Sequence, residues 1–571
     1  MSNEENRALK AHEEYRTAVE TAAEYIENFD ILETITNAGN DEVFTPRKTC
    51  DMILDSLPEE VWHNPNYKWL NPATKNGVFE REIAIRLDEG LKDIIPDVET
   101  RRKHILQNMI FAIGQTKFTS NVARRTLYYC AKANQKCDGV KASDGHYVNG
   151  FAIGNGTWFD DEEGNIKTPI TIHEFVNGSG SKMPLNCKGE ERKKYKCKYC
   201  GIAGDSVYNN DRQREQYAYE FIHIHRLPLL RVLQDRFFKG DRSMKFDIII
   251  GNPPYQLQVN ESGKGLGAVP IYNKFVEQAI ELNPKYLCMI IPSRWFSGGV
   301  GLDDFRERML KDKHIKLLYD FTDSKYCFPG VDINGGVCYF LRDNTYQGPC
   351  KFTNVTNGIK NTQDRMLDEF DIFIRKNDAL SIVNKVLSKC TKTLADEGGC
   401  SPQTPYGFLS TFEGSLERAK DTDCEILTSK GWRFVGNDEI LKGKESVYLY
   451  KAMISKLTCE HAGTPDKNGM YRVLSRTELL KPGQICSQSY LVICPQKTEE
   501  EANHVLNYLK TKFVRFLIQL TLTGMNMSIV NFRFVPWLDF SVDWNDKLLY
   551  EKFELTPEEI DVIESMIREM V

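Results

Sequence analysis

The sequence predicts an α/β fold with a Rossmann-like, mostly parallel sheet that carries helices on both faces. Three observations predict this fold, an insertion within it and a second domain after it. Short apolar runs alternate with amphipathic helical stretches over residues 42–342, which is typical of strands joined by covering helices. A Gly- and Asp-rich stretch that contains cysteines interrupts this alternation at about 136–211. Beyond 343 the pattern becomes irregular, which indicates a C-terminal α+β domain.

The elements follow this division along the chain. Residues 1–41 read as a polar N-terminal helical segment, because Ala, Glu and Tyr recur in AHEEYRTAVETAAEYIENF. Within 42–342 the runs MIFAIG, FDIIIG and KYLCMIIPS predict strands, and SNVARRTLYYCA and IYNKFVEQAIEL predict helices. Residues 343–571 form the second predicted domain, which ends in an acidic helix over 556–569. A chain of 571 residues exceeds what one hydrophobic core usually supports.

The composition limits the cellular compartment and the binding partners that we expect for this chain. No run of eighteen apolar residues could span a bilayer, and the polar, acidic N-terminus lacks the features of a secretory signal. We therefore expect a cytoplasmic protein with no membrane partner. Sixteen cysteines scattered over a long chain suit reduced thiols better than a disulfide framework.

The net charge of −6 argues, as a sum, against a nucleic-acid partner. Positive charge is nevertheless dense in three places, and a basic stripe on an acidic body could still bind phosphates. The alternative is that each run is a solvated face. The three places are 188–198, Arg124 with Arg125, and 510–515.

The segment FDIIIGNPPY carries the clearest chemistry. A buried-strand run ends at Gly251 and is followed by Asn252, Pro253, Pro254 and Tyr255. In open α/β sheets, ligands bind beyond the carboxyl ends of strands, so this position is suited to a site. Proline fixes the backbone, and an amide oxygen with a rigid carbonyl can accept the hydrogens of an amine. Tyr255 offers an aromatic face beside it.

This motif resembles that of the adenine-specific N6 DNA methyltransferases of restriction-modification systems, which read Asn/Asp-Pro-Pro-Tyr/Phe. Further segments match the family in its gamma-type order. Phe44, Thr45 and Pro46 look like the segment that contacts the cofactor, and residues 70–79, LNPATKNGVF, resemble the cofactor loop. In that loop the resemblance marks the cofactor-binding residues Asn71, Pro72, Ala73, Gly77 and Phe79.

The resemblance implies a methyltransferase domain over 42–342 that uses S-adenosyl-L-methionine. It implies that Asn252, Pro253, Pro254 and Tyr255 are the catalytic residues, acting on an adenine that is flipped out of double-stranded DNA. It also implies that 343–571 recognises the DNA target. A separate cognate restriction endonuclease is an implied partner, because the sequence shows no convincing nuclease motif: the one Glu-x-Lys, at 191–193, lies far from Pro96 and Asp97.

Three positions depart from the family pattern. The usual Asp of the cofactor loop is Asn71, and its first glycine is Lys75. The acidic residue expected after the strand MIFAIG would fall at Gly114 or Gln115, and neither is a carboxylate. The predicted strand FIHIHRL also ends in histidines where the family often has Asp. These departures motivate a non-catalytic, methyltransferase-like DNA-binding subunit as an alternative. A protein glutamine methyltransferase is another, because Asn-Pro-Pro-Tyr can also hold an amide.

The insertion contains a Cys-x2-Cys pair, Cys197 and Cys200, in KCKYCG. This pair is half of a structural zinc site, which needs four ligands. Other donors in the sequence are Cys130, Cys137, Cys187, His173, His223 and His225. The sequence leaves open whether one structural zinc ion binds here or the cysteines are ordinary reduced thiols.

In the C-terminal domain, basic residues are the expected contacts to phosphate or guanine. The candidates are Arg472, Arg476, Lys510, Lys512, Arg515 and Arg533. Trp432, Phe534 and Trp537 are expected in the core, because large aromatic residues are usually well buried.

Overall fold

The computed structural model describes residues 43–128, 163–205, 217–223, 228–257, 269–298, 301–356, 358–370, 372–421, 423–459, 465–467, 469–522 and 525–570. The predicted N-terminal segment 1–41 lies outside these residues, as do Cys130, Cys137 and His225. The described residues form two compact units. One reaches to residue 332 and includes 337–351, and the other comprises 333–336 and 352–571.

The first unit contains seven strands of one sheet. They are β1 Trp69–Thr74, β2 Ile110–Gly114, β3 Ile166–Lys167, β4 Ile248–Gly251, β5 Tyr286–Pro292, β6 Ile315–Phe321 and β7 Val337–Asp343. Their order is β3-β2-β1-β4-β5-β7-β6. Neighbours from β3 to β5 pair in parallel, and β7 is antiparallel to both β5 and β6. The α/β sheet expected from the sequence is therefore confirmed.

Helices alternate with these strands along the chain. They are α1 Arg47–Leu54, α2 Val78–Gly90, α3 Val98–His104, α4 Lys117–Tyr128, α5 Leu229–Phe237, α6 Tyr272–Glu281 and α7 Asp303–Lys311. All seven residues of β5 are buried, and so are all four of β4. Strands covered on both faces need continuous apolar side chains, which is why these runs were recognisable in the sequence.

The stretch predicted as an insertion is partly built into the sheet. Residues Ile166–Lys167 form β3, which pairs in parallel with β2. Beyond it, Phe175–Val176 pairs antiparallel with Lys196–Cys197 in a small ribbon. The segment before β4, predicted as a strand, instead contains a 3-10 helix at Tyr217–Ile222.

The second unit is α+β, with two small three-stranded sheets. Its strands are β8 Cys350–Thr356, β9 Ile359–Arg365, β10 Cys424–Thr428, β11 Gly431–Val435, β12 Tyr450–Ser455, β13 Thr477–Leu480, β14 Gln484–Cys486 and β15 Tyr490–Gln496. The small sheets run β11-β10-β14 and β13-β12-β15. Its helices are α8 Leu380–Lys389, α9 Glu499–Lys510, α10 Lys512–Gln519, α11 Asp546–Lys552 and α12 Pro557–Met566.

The acidic C-terminal helix begins where its sequence signal predicts. Thr556 caps α12 by accepting from the backbone of Glu559, whose side chain accepts from the backbone of Thr556 in return. Nowhere in the described part of the chain is a helix long and apolar enough to cross a bilayer.

Candidate active site

The Asn-Pro-Pro-Tyr segment leaves the sheet at the carboxyl end of β4, between β1 and β5. The preceding Gly251 lies against Asn71 of β1: a Cβ on this glycine would stand 2.5 Å from Asn71 Oδ1. A side chain at 251 would therefore displace the Asn71 side chain, which is held by hydrogen bonds to Glu80 and to the Ala73 backbone.

The Asn252 side chain is buried, with 3% of its surface exposed, and its amide nitrogen is anchored. Nδ2 donates to Thr45 Oγ1 at 3.1 Å and to the Val43 carbonyl at 3.3 Å. Because both acceptors engage the nitrogen, the orientation of the amide is fixed. The oxygen Oδ1 is buried and has no hydrogen-bond partner among the described residues. A buried acceptor in this state is suited to a ligand that brings its own N–H group.

Thr45 belongs to the segment that the sequence assigned to cofactor contact. In the structure this segment leads into α1, with Pro46 immediately before the helix and Phe44 buried. Thr45 contacts the Asn-Pro-Pro-Tyr motif by accepting from Asn252 Nδ2. The segment thus helps to position the Asn252 amide.

Tyr255 lies on the same loop with its ring edge-on to Phe328, at a centroid separation of 6.5 Å. Burial raises the pKa of its phenol well above the ordinary value, so the ring stays neutral. Its hydroxyl is buried and makes no hydrogen bond to the described residues. The described contact of this side chain is therefore made by the ring and not by the hydroxyl.

The predicted cofactor loop is shorter than the sequence indicated. Residues up to Thr74 belong to β1, so Pro72 and Ala73 are strand residues, and the turn is confined to residues 75–77. Gly77 ends the turn with φ +79° and precedes α2, where Phe79 is buried in the first turn. A Cβ on Gly77 would lie 2.8 Å from Ala123 Cα of α4. This glycine is required by both backbone conformation and helix packing.

A buried carboxylate stands beside the position where the family's acidic residue is missing. Asn71 Nδ2 donates to Glu80 Oε1 at 2.8 Å, and Asn71 Oδ1 accepts from the Ala73 backbone at 3.1 Å. Glu80 is 1% exposed, and its Oε2 has no partner among the described residues. Burial raises the pKa of this carboxyl above its ordinary value. Glu80 could not be identified from the sequence, because its proximity to Asn71 depends on the start of α2.

At the carboxyl end of β2, Gln115 occupies the place of the second missing acidic residue. Its backbone N–H donates to the Thr74 carbonyl at 3.0 Å, so the ends of β1 and β2 are tied together. The side chain is fully buried, and neither its amide oxygen nor its amide nitrogen has a partner within the described structure. A neutral amide can both donate to and accept from a hydroxyl group.

Lys75, the other departure from the family pattern, joins the loop to the Asn-Pro-Pro-Tyr motif. Its Nζ donates to the Val43 carbonyl at 3.0 Å, the same carbonyl that accepts from Asn252. The ammonium also lies 5.9 Å from the centroid of the Tyr255 ring. A glycine at position 75 could make neither contact.

The cysteine pair of the insertion meets two histidines. Potential ligand atoms of His173, Cys197, Cys200 and His223 all lie within 4.8 Å of one another. The remaining described donor, Cys187, is not part of this group. The sequence predicted the two cysteines, but it could not select the histidines.

The basic residues proposed for DNA contact in the second unit differ in their exposure to solvent and in their ion pairs. Arg515 was predicted wrongly: it is 1% exposed and donates to backbone carbonyls that include those of Arg472 and Arg568. Lys512 pairs with Glu564 and Glu569, and Arg476 pairs with Glu478. Arg533 is exposed and Lys510 half-buried.

Of the aromatic residues expected in the core of that unit, Phe534 is buried and Trp537 is partly buried against the same cluster. Trp432 was predicted wrongly, since it lies on β11 with 37% of its surface exposed.

Several solved structures are similar to this chain at low identity. A nuclease-deletion mutant of the Type ISP restriction-modification enzyme LlaGI with a DNA substrate mimic is 11% identical, with 85% of this chain and 45% of that one covered and a TM-score of 0.41. The Type IIL restriction-modification enzyme MmeI in complex with DNA is 11% identical, with 80% and 61% covered and a TM-score of 0.38. A modification subunit of a putative type I restriction enzyme from Vibrio vulnificus YJ016 is 12% identical, with 62% and 53% covered and a TM-score of 0.28. The chain spans about half the length of these proteins.

Two comparisons of sequence are closer. The profile of the Eco57I restriction-modification methylase family matches residues 108–328, which include the Asn-Pro-Pro-Tyr motif and the cysteine pair. An uncharacterized adenine-specific methylase of Mycoplasma pneumoniae (strain ATCC 29342 / M129 / Subtype 1) is 48% identical over 327 residues, which are 56% of this chain and 72% of that protein. With this identity over most of the relative's length, and with the motif at the end of β4, the chain belongs to the adenine-specific methylases.

Proposed function

We propose that this chain is a sequence-specific DNA adenine N6-methyltransferase, the modification component of a restriction-modification system. One observation carries the proposal: the buried Oδ1 of Asn252, held at the carboxyl end of β4 with its amide nitrogen already engaged. Such an oxygen is a preorganised acceptor for an amine hydrogen, and the adenine N6 group is an amine of this kind.

The reaction needs help at the nitrogen, because the N6 lone pair is delocalised into the adenine ring. Asn252 Oδ1 accepts one N6 hydrogen, and the carbonyl of Pro253 accepts the other. Two consecutive prolines keep this backbone stiff. Hydrogen bonds of this geometry favour a pyramidal nitrogen whose lone pair is available, and they strengthen as positive charge develops on it.

The methyl donor of this proposal is S-adenosyl-L-methionine, which supplies an electrophilic methyl group on a sulfonium. The residues at the ends of β1 and β2 suit its polar groups. Gln115 offers a buried amide with no partner in the described structure, which can hydrogen-bond ribose hydroxyls. Glu80 offers Oε2 of a buried carboxyl to the methionine amine. Asn71 holds that carboxyl in place.

Double-stranded DNA is the proposed substrate, and its adenine must leave the base stack to reach Asn252. Tyr255 stacks on the extruded base through its ring, which needs no hydroxyl partner. A cognate restriction endonuclease, as a separate chain, would cut DNA that lacks the methyl mark.

The experiment is methyl transfer to unmethylated genomic DNA from radiolabelled S-adenosyl-L-methionine, followed by nucleoside analysis. We expect the label in N6-methyladenine. Label in a glutamine-containing protein or peptide instead would favour the protein methyltransferase alternative. Binding of DNA with neither cofactor affinity nor transfer would favour the non-catalytic alternative. Either result would contradict the proposal.

A further inference from the structure

We propose that His173, Cys197, Cys200 and His223 form a structural zinc site that fixes the cysteine-containing ribbon to the segment preceding the catalytic strand. The proposal is independent of the methyl-transfer chemistry. It rests on the two cysteines, on two histidines from separate segments, and on the hydrogen bonds that orient them.

The two cysteines lie on a tight, hydrogen-bonded turn, as in many structural zinc sites with a Cys-x2-Cys pair. The Cys197 N–H donates to the Ile202 carbonyl at 2.8 Å, and the Gly201 N–H donates to the Cys197 carbonyl at 2.8 Å. Gly201, with φ +84°, closes the turn directly after Cys200. Both cysteines therefore belong to one tight loop, and both are buried, at 2% and 0% exposed.

Two sulfur–nitrogen distances within the group are close to those around a tetrahedral ion. Cys200 Sγ lies 3.6 Å from His173 Nδ1, and Cys197 Sγ lies 4.0 Å from His223 Nε2. Zinc–sulfur and zinc–nitrogen bonds of about 2.3 and 2.0 Å at a tetrahedral angle separate sulfur and nitrogen by about 3.5 Å. The pairs thus need to shift by a few tenths of an ångström or less to share an ion.

His223 is oriented by a contact outside the cluster. Its Nδ1 lies 3.1 Å from the Ile172 carbonyl, a hydrogen bond in which the ring N–H donates. The proton is thereby held on Nδ1, so Nε2 presents a lone pair toward Cys197. Metal-bound histidines commonly carry such a second hydrogen bond, which fixes the tautomer that binds the metal.

The ligand set favours zinc. Two thiolates and two imidazoles form a closed, tetrahedral, soft-to-borderline site, which zinc prefers and which magnesium and calcium do not. All four protein ligands are present, so no position is open for a substrate, and the ion is structural.

The ion would join parts of the chain that are distant in sequence. His173, Cys197 and Cys200 belong to the ribbon, and His223 follows the 3-10 helix Tyr217–Ile222, which packs against β1, β2 and α6. Lys274 of α6 also donates to the carbonyl of Tyr199, which lies between the two cysteines in the sequence. The zinc therefore holds the ribbon beside the helix that follows the catalytic loop.

Metal analysis of protein purified without a metal-affinity step is the first test. We expect about one zinc per chain in the wild type, and a loss of most of it in Cys200→Ser and in His223→Gln. Cys187→Ser is the matched control, because Cys187 is a buried thiol of the same insertion outside the four-residue group. Circular dichroism checks that each variant is folded.

Far less than one zinc per chain in the wild type, even after exposure to Zn²⁺ under reducing conditions, would overturn the site. An equal loss in Cys187→Ser would overturn it as well.

X-ray absorption at the zinc edge tests the same site in the unaltered chain, so it does not depend on how the variants fold. The proposal requires a shell of two sulfurs at about 2.3 Å and two nitrogens at about 2.0 Å. A shell of four sulfurs, or one of oxygen and nitrogen alone, would contradict it.

Discussion

The side-chain amide of Asn252 uses its nitrogen for structure and leaves its oxygen for a ligand. Nδ2 is held by Thr45 and by the Val43 carbonyl, and Val43 is held in turn by Lys75. The N-terminal segment of the domain and the shortened loop after β1 therefore converge on one carboxamide. The position of that oxygen depends on residues that never contact the proposed substrate.

Thr45 provides a test of this positioning role. Thr45→Val removes the acceptor for Asn252 Nδ2 but keeps the shape of the side chain, so the amide should lose part of its orientation. We expect the single-turnover rate of methyl transfer to fall on the order of tenfold, which corresponds to about 1.4 kcal/mol. Cofactor affinity should change little.

Thr45→Ser is the control, because it retains the hydroxyl and should restore most of the rate. If the serine and valine variants were equally slow, packing rather than the hydrogen bond would explain the effect.

Tyr255 should act through its ring alone. Tyr255→Phe removes a buried hydroxyl that has no partner in the described structure, so transfer should stay within about twofold of the wild type. Tyr255→Ala removes the stacking face, worth about 1 to 3 kcal/mol per base, and should slow transfer on the order of 10- to 100-fold.

The paired measurement is the fluorescence of 2-aminopurine at the target adenine, once the target sequence is known. The signal should rise on binding and change in Tyr255→Ala. A phenylalanine variant as slow as the alanine variant would show that the hydroxyl matters.

At the scale of the elements, the site lies where the ends of β1, β2 and β4 meet. The junctions are tight: Gly251 abuts Asn71, and Gly77 abuts Ala123 of α4. A loss of cofactor binding after a bulky substitution at Gly77 would therefore follow from packing alone. Gly77 is better used to test the junction than to test the cofactor loop.

Gly77→Ala should destabilise the chain by roughly 2 to 5 kcal/mol, the sum of a left-handed backbone cost and overpacking against backbone. Gly301→Ala is the matched control, because Gly301 has the same φ of +79° but no atom of the described residues within 4 Å of an added Cβ. The difference between the two, measured by chemical denaturation, isolates the contact with Ala123. Equal destabilisation would show that the close approach is absent in solution.

Glu80, at the start of α2, makes stability depend on pH. Its raised pKa means that the folded chain binds more protons than the unfolded chain between the ordinary carboxyl pKa and the raised one. Stability contributed by Glu80 is therefore lost as the pH rises through that window. The glutamine in Glu80→Gln cannot ionise, so the variant should not lose this contribution. Over the same pH range, the free energy of unfolding of the variant should therefore rise relative to that of the wild type.

Denaturation of both proteins across a pH series measures this difference. A wild type that instead gained stability relative to Glu80→Gln as the pH rose would show that the carboxylate is well solvated or paired with a cation.

Sequence reasoning found the strands and the motif for one physical reason and missed several site residues for another. β4 and β5 are buried throughout, so a short stretch of sequence is enough to recognise their apolar runs and the polar motif that follows β4. The roles of Glu80 and Gln115 depend on which atoms meet at the ends of neighbouring strands. Tertiary packing likewise decides that Arg515 caps carbonyls inside the second unit instead of facing solvent.

At the scale of the whole molecule, the first unit carries the Asn-Pro-Pro-Tyr motif at the end of β4, and the second unit contains two small three-stranded sheets. The assignment of DNA recognition to residues 343–571 remains a prediction. The two apolar clusters of the second unit show that it has a hydrophobic core of its own.

The most direct test of the account is to sequence genomic DNA, with detection of N6-methyladenine, from a methylation-free host that expresses the wild type or Asn252→Ala. The wild type should methylate adenine within one recurring sequence. Purified Asn252→Ala should bind cofactor and DNA but transfer methyl groups at least about a hundredfold more slowly, the size of effect expected when one transition-state hydrogen bond is removed. Asn108→Ala, an exposed asparagine of the same unit, is the control and should match the wild type. Adenine methylation by Asn252→Ala at the wild-type rate, or none by the wild type, would contradict the account.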